Sequence, residues 1–370
     1  MADLARPSGR RAADLALPPP LRLALSLDGG RMVGGFPYRP WSMYRVTQPP
    51  SADDPTVSVV MAAFNVENYV PRALNSVQRQ SLQSLEIIVV DDGSTDRTKA
   101  ILADHAVQDH RIRVLSGHRA GPASARNLAI ANARGRWIAI VDADDLIDPD
   151  RLERMVSIAE TRGVDAVADN LIAFYEAPGM KDHVWIDPSV WPSERRLTFA
   201  DLMMGGLKGA TQPEIGYLKP VIRRSKLKAL AVPYRDELVI GEDLDLMARW
   251  TAAGLSYLYL PQAGYHYRRH ASSLSYRLSP DQVQGMIDAL DTLDVDAPCH
   301  DARSVAFRRS VLVAEKAYQT YLARLKSGEL AALACLLINP EGCRRLTRSI
   351  SEGAVRRLRK ARGKLSKHPV

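Results

Sequence analysis

At 370 residues, 46% hydrophobic and 25% charged, the chain has room for one large α/β domain with extensions, and its composition is that of a soluble globular protein with an ample core. The net charge of +8 sits at one end: residues 343–370 hold ten Lys/Arg against a single acid, Glu352, leaving −1 on everything before them, which argues against a nucleic-acid-binding body. Three late cysteines without metal-ligand spacing (Cys299, Cys335, Cys343) suggest a reducing compartment. The lead has no continuous apolar h-region, and the run Leu330–Ile338 is too short to span a bilayer, so a cytoplasmic protein is expected.

Residues 1–55 are rich in Pro, Gly, Arg and Ala without a sustained period and read as a partly disordered extension, although Phe36, Tyr38, Trp41 and Tyr44 can strap onto the body. Regular structure begins at VSVVMAAFN, Val57 to Asn65. Further strands are expected at EIIVVDDGSTD from Glu86, RIRVLSG from Arg111, RWIAIVDADD from Arg136 and DAVADN from Asp165. Their starts lie 25 to 29 residues apart, the room that a strand, a loop and a crossover helix need, so the sheet should be mostly parallel. Helices fit between them: ENYVPRALNSVQRQ with Pro71 in its first turn, Thr95 or Asp96 through Ala106, PASARNLAIANA opening on Pro122, and PDRLERMVSIAETRG closing on Gly163.

The strand from Arg136 stops at three carboxylates, Asp142, Asp144 and Asp145, at the end where open α/β sheets bind ligands. Acids crowded together without a neighbouring Lys or Arg repel one another unless a cation sits among them, and all-oxygen ligation suits Mg²⁺ or Mn²⁺. A solvated acidic turn, with Asp148 or Asp150 capping a helix at Pro149, explains an isolated DADD equally well. Asp91 and Asp92 also end a strand, where a carboxylate can accept hydrogen bonds from a base or a ribose; the same residue types serve Asx turns and helix caps. In SGHRAGPASARN, Arg119 or Arg126 can face a diphosphate beside a helix N-terminus.

Further along, Trp185, Trp191, Tyr217 and Tyr234 stand among Gly and Pro and suit a saccharide cleft as well as a core. VIGEDLDLMARWTAAG places Glu242 and Asp243 in the first turn of an amphipathic helix whose Leu244, Met247 and Trp250 face the core. The two acids point about 100° apart on such a helix, so only one is expected to face a reacting group. YHYRRHASSLS, Tyr265 to Ser275, follows a strand and gathers His266, Arg268, Arg269 and His270.

VSVVMAAFN, EIIVVDDGSTDRT, GPASARN, IAIVDADD and GED, in this order and spacing, resemble a family 2 glycosyltransferase of the GT-A fold, of the bacterial polysaccharide-building kind, over about residues 55 to 275. The resemblance implies an inverting hexosyltransferase that takes a nucleotide-diphosphate sugar, commonly UDP-linked, with Mg²⁺ or Mn²⁺. By motif it places Ala62, Ala63, Phe64 and Asp91 or Asp92 at the nucleoside, Arg126 at the diphosphate and Asp142 at the ribose or the metal. Asp144 becomes the main metal ligand and Asp243, with Glu242 as its rival, the general base; His270, read from the residues and not from the motif, can reach the metal or the diphosphate or serve the structure. Ala62 stands where the family commonly has Pro, and Phe64 where it has Tyr, so a phenolic hydrogen bond is lost; the QxxRW motif of processive synthases is missing, which implies transfer of one sugar at a time.

The expected organisation is a GT-A domain over 56–275, a helical region over 276–342 and a basic tail over 343–370 that alternates Lys/Arg with apolar residues and suits an anionic membrane surface near a saccharide or lipid-linked acceptor. A sugar-nucleotide pyrophosphorylase shares the sheet but would carry a Gly-rich loop after its first strand, where AAFNVEN has none; a non-catalytic membrane-associated scaffold is the other alternative.

Overall fold

The structure, a computed structural model, describes residues 54–176, 180–207, 212–270, 278–293 and 301–327. The aromatic residues of the N-terminal extension, the cysteines, the apolar run Leu330–Ile338 and the basic tail lie outside them.

The alternation of strand and helix expected from the spacing is present. It runs β1 (Val57–Ala63), α1 (Val70–Gln78), β2 (Leu85–Asp91), α2 (Thr98–Gln108), β3 (Ile112–Ser116), α3 (Pro122–Ala131) and β4 (Trp137–Ile140). These four strands are parallel, in the order β3-β2-β1-β4, and the Val/Ile-rich runs of β2, β1 and β4 are buried on both faces because helices cover the sheet, while β3 at the edge is partly exposed. Pro71 and Pro122 open α1 and α3, where the missing N–H costs nothing. The short β5 (Leu146–Ile147) leads into α4 (Arg151–Arg162), which ends on Gly163 at φ 59°, a left-handed cap that glycine takes without strain.

Past β6 (Ala166–Tyr175) the chain makes β7 (His183–Val184), β8 (Arg195–Leu197) and α5 (Phe199–Met204). Then come β9 (Val221–Arg223), α6 (Arg224–Leu230), α7 (Glu242–Ala252) and β10 (Tyr257–Arg269). The three residues of β9 insert antiparallel between β4 and β6, while β10 lies parallel to β6 and antiparallel to β5 and β8. All six longer strands therefore point the same way, and their carboxyl ends form one rim. Helices α8 (Pro280–Asp291) and α9 (Ala302–Lys326) pack on each other and, through α9, on α5.

Strand β10 differs from expectation. YHYRR does not follow the strand but belongs to it, because the ladder with β6 shifts register between Leu260 and Tyr265 and resumes to Arg269. Pro261 is tolerated there because a bulge asks no ladder hydrogen bond of it. At Gly264 a Cβ would lie 2.3 Å from Arg154 and 2.7 Å from Asp169, so only glycine fits beneath the buried Arg151–Asp169 ion pair.

Candidate active site

The carboxyl-end rim collects most of the sequence-predicted residues. At the end of β1, Phe64 is 41% exposed, and the Arg119 guanidinium stands 5.4 Å over its ring. Arg119 takes the left-handed backbone region at φ 58°, rare for a residue with a Cβ. Beside it, Asp92 accepts from Ala120 N–H and Gly121 N–H at 3.1 and 2.7 Å, and Asp91 accepts from Ser94 N–H. Both acids thus shape the loops that border Phe64.

The second group lies just past β4. Asp142 does not stand among bare carboxylates, as the sequence suggested. One of its oxygens is 2.7 Å from Arg126 Nη2, the other 2.8 Å from Lys219 Nζ. Arg126 also reaches Glu242 at 2.7 Å and Asp243 at 3.6 Å, so the expectation that only one of these acids faces the site does not hold. The planar guanidinium offers several N–H groups, and the longer Glu242 side chain reaches it from its own direction. Asp243 further accepts from Lys219 Nζ at 2.6 Å and from Tyr234 OH at 2.8 Å. Asn127, next to Arg126, fixes Tyr234 through both main-chain groups at 2.9 Å.

Burial penalises every charge here, and neighbours decide the outcome. Asp142 stays well below the ordinary carboxylate range because Lys219 and Arg126 outweigh its desolvation, and Asp243 is lowered by Arg126 and Lys219 in the same way. Glu242 is raised: burial and then the Asp243 charge outweigh Arg126. Lys219 and Arg126 are raised against their own burial, Lys219 by Asp142 and Asp243, Arg126 by Asp243 and then Asp142. The result is an acid pair with one member firmly ionised and the other easier to protonate.

The third group surrounds Asp144. Its carboxylate is partly exposed and lies 3.0 Å from His270 Nε2, whose ring stacks on Tyr69 at 4.6 Å. Arg268, buried between Tyr69 and Phe174, donates from Nε to the Asp144 carbonyl. Asp145 faces inward instead, accepting from Tyr265 OH at 2.7 Å and Arg268 N–H at 2.7 Å; burial, then Asp144 and Asp142, push its pKa well up. Asp148 meets His266 at 2.7 Å rather than capping α4, and Asp150 takes the N-cap position without a side-chain bond.

A partly exposed carboxylate beside an imidazole is a donor set that fits a divalent cation whose remaining ligands are phosphate oxygens. Asp142 is committed to Arg126 and Lys219, and no cluster of three His, Cys, Asp or Glu arranged for a metal occurs among the described residues. The aromatic residues divide: Trp191 is buried against Tyr259, Tyr234 serves Asp243, and Trp185 and Tyr217 remain partly exposed.

Sequence reasoning missed Lys219, Tyr265 and Tyr69. For Lys219 a signal existed, because a lone lysine inside the apolar YLKPVI must find buried partners.

Residues 58–224 match the family described as Glycosyl transferase family 2. Succinoglycan biosynthesis protein ExoO of Rhizobium meliloti (strain 1021) is 35% identical over 244 residues, 65% of this chain and 69% of that protein. The chain belongs to glycosyltransferase family 2. Succinoglycan biosynthesis protein ExoU of the same organism is 33% identical over 222 residues, 59% of this chain and 64% of its own length, so the chain spans about two thirds of these relatives. Among solved structures, S. aureus TarS 1-349 in complex with UDP-GlcNAc aligns with a TM-score of 0.53 at 21% identity, over 67% of this chain and 69% of the other. Mannosyltransferase PcManGT from Pyrobaculum calidifontis, in complex with GDP-Man and Mn²⁺, aligns at 0.50 and 17% identity over 83% and 88%. These likenesses establish the GT-A fold of this family 2 glycosyltransferase.

Proposed function

We propose that this glycosyltransferase moves one sugar from a UDP-linked donor to a saccharide or lipid-linked saccharide acceptor, with inversion, in the assembly of an exopolysaccharide or cell-surface glycan. The observation that carries the reading is the bridge made by Arg126, which joins strand-end Asp142 to the Glu242–Asp243 turn. One buried side chain thereby sets the distance between a donor-side carboxylate and the candidate base. The polysaccharide role rests on the two succinoglycan relatives, and the donor class on the nucleotide sugars bound by the aligned structures.

In this reading Phe64 stacks on the base, while Asp91 and Asp92 hold the loops around it. Asp144 and His270 hold a Mg²⁺ or Mn²⁺ ion, which when bound neutralises charge on the departing diphosphate. Arg126 positions the acids rather than meeting the diphosphate, because its guanidinium is already shared among carboxylates. Asp243, or Glu242 in its place, takes the proton of the attacking hydroxyl as the new bond to the anomeric carbon forms. The bond from that carbon to the diphosphate oxygen breaks on the opposite side, its electron pair leaves with the nucleotide, and the centre inverts.

No helix among the described residues is long and apolar enough to cross a membrane. The basic segment 343–370 supplies peripheral attachment to an anionic inner-membrane surface in this reading, at about 1 kcal/mol per basic residue close to it. Neutralising its ten Lys/Arg should abolish sedimentation with anionic vesicles, and unchanged sedimentation refutes the attachment.

The transferase reading is tested by incubating the full chain and Mn²⁺ with a mixture of mono- and oligosaccharide and lipid-linked saccharide acceptors and radiolabelled UDP-glucose, UDP-galactose, UDP-N-acetylglucosamine and GDP-mannose, and separately with UTP plus a sugar 1-phosphate. Release of UDP from a UDP-sugar is expected. Pyrophosphate release in the second mixture favours a pyrophosphorylase, and release in neither points to a scaffold.

A further inference from the structure

On one side of the site the chain builds a row of rings that the chemistry above does not use. Trp185 follows β7 and is pinned twice: its main-chain N–H donates to Leu171 O at 2.8 Å, and its indole N–H donates to Glu214 O at 2.7 Å. The Tyr217 ring meets the indole edge-on at 5.0 Å, the Tyr267 ring does so at 6.0 Å, and the two tyrosines lie 5.3 Å apart. His183 extends the row, stacked 6.3 Å from Trp185, and the Arg269 guanidinium stands 5.9 Å from the indole centroid. All three large rings keep part of their surface in solvent.

We propose that Trp185, Tyr217 and Tyr267 form a platform that seats a saccharide ring of the acceptor beside the transfer site. The proposal deepens the transferase reading and rests on it. Its first support is continuity. Tyr217 is two residues from Lys219, which holds Asp243, so their Cα atoms are at most about 7 Å apart. The platform is thereby joined along the chain to the lysine that holds the candidate base.

The second support is chemistry. A sugar presents an apolar face of C–H groups and a rim of hydroxyls; aromatic faces pack on the former, and neighbouring polar groups pair with the latter. Arg269 and His183 flank the indole as that rim requires. A hydrocarbon tail laid on the same rings would desolvate Arg269, whose charge acts on the Glu214 carboxylate, and would offer neither group a hydrogen bond. Because the indole is already fixed by its hydrogen bond, binding does not have to order it.

Saturation-transfer NMR on the full chain tests the platform, with methyl β-glucoside, methyl β-galactoside, octyl β-glucoside and 1-octanol as probes and UDP in the same tube as a reading of the donor site. Saturation of sugar-ring protons is expected for at least one glycoside. Trp185→Ala and Tyr217→Leu should each weaken that binding about tenfold, Trp185→Phe should largely retain it, and UDP should bind all variants like wild type. Absence of ring saturation from every glycoside, saturation confined to the octyl chain and octanol, or equal binding by Trp185→Ala and Tyr217→Leu overturns the proposal. If UDP fails to bind wild type, it is the donor reading that falls. Thermal melts show which variants are folded, and the two substitutions sit on different segments, so one folded variant suffices.

Discussion

Lys219 Nζ lies 2.6 Å from an oxygen of Asp243 and 2.8 Å from one of Asp142, so a single ammonium ties the end of β4 to the first turn of α7. The lysine is buried and with Arg126 faces three carboxylates, Asp142, Glu242 and Asp243. Removing it leaves uncompensated buried charge, which typically costs about 3–5 kcal/mol. Lys219→Met should therefore lower stability by that order in urea unfolding, and adding Asp142→Asn should recover part of the loss. A double variant no better than the single one contradicts the bridge.

The acid pair is separated by two measurements. If Asp243 is the base, Asp243→Asn should lower kcat by about 10²- to 10⁴-fold with donor affinity near wild type, while Glu242→Gln has the smaller effect. A base works deprotonated, so activity falls as pH drops through its pKa. Arg126 and Lys219, outweighing burial, hold Asp243 low, so its acidic limb lies below the ordinary aspartate range; burial and Asp243 raise Glu242, so a limb above the ordinary glutamate range in the kcat/KM profile assigns the role to Glu242.

Asp144→Ala should abolish Mn²⁺-dependent binding of the donor nucleotide by titration calorimetry while leaving the melting temperature near wild type, because the carboxylate is at the rim rather than in the core. His270→Ala should weaken the same binding by about tenfold or more. Normal Mn²⁺-dependent binding by the Asp144 variant would show that the metal site lies elsewhere.

Arg119 combines backbone strain with a cation over Phe64. Arg119→Gly relieves the strain and Arg119→Ala does not, so the glycine variant should be the more stable by about 1 kcal/mol in urea unfolding. Both lack the guanidinium, and both should weaken UDP binding to the same degree. Wild-type affinity in the alanine variant would reduce Arg119 to a loop residue.

The parallel half of the sheet was legible because each strand there carries its own signal, an apolar run with a turn after it, and the spacing of the runs dictates the crossovers. Asp91, Asp92, Asp142 and Asp144 were legible as a consequence, since each ends such a run. What fixes the other half is long-range. β9 is three residues long and has no period to read, yet it carries the chain from Lys219 between two strands. The carboxylate cluster looked unpaired because its cations lie 16 residues before Asp142 and 77 after it, and no local pattern connects them. The continuation of β10 past Pro261 was hidden for a related reason: a proline reads as a stop unless the bulge that excuses it is seen.

That bulge imposes a rule of parity. Beyond it, Tyr265 meets Asp145 and Tyr267 and Arg269 meet Trp185 and its neighbours, while His266, Arg268 and His270 turn to Asp148, Tyr69 and Asp144. Successive side chains in a strand alternate faces, so inserting or deleting one residue between Gly264 and Arg269 exchanges the two sets beyond that point, whereas changing the length by two restores the order one step along. Natural variation in length is therefore expected in the turns that flank β10, and within the strand only in pairs.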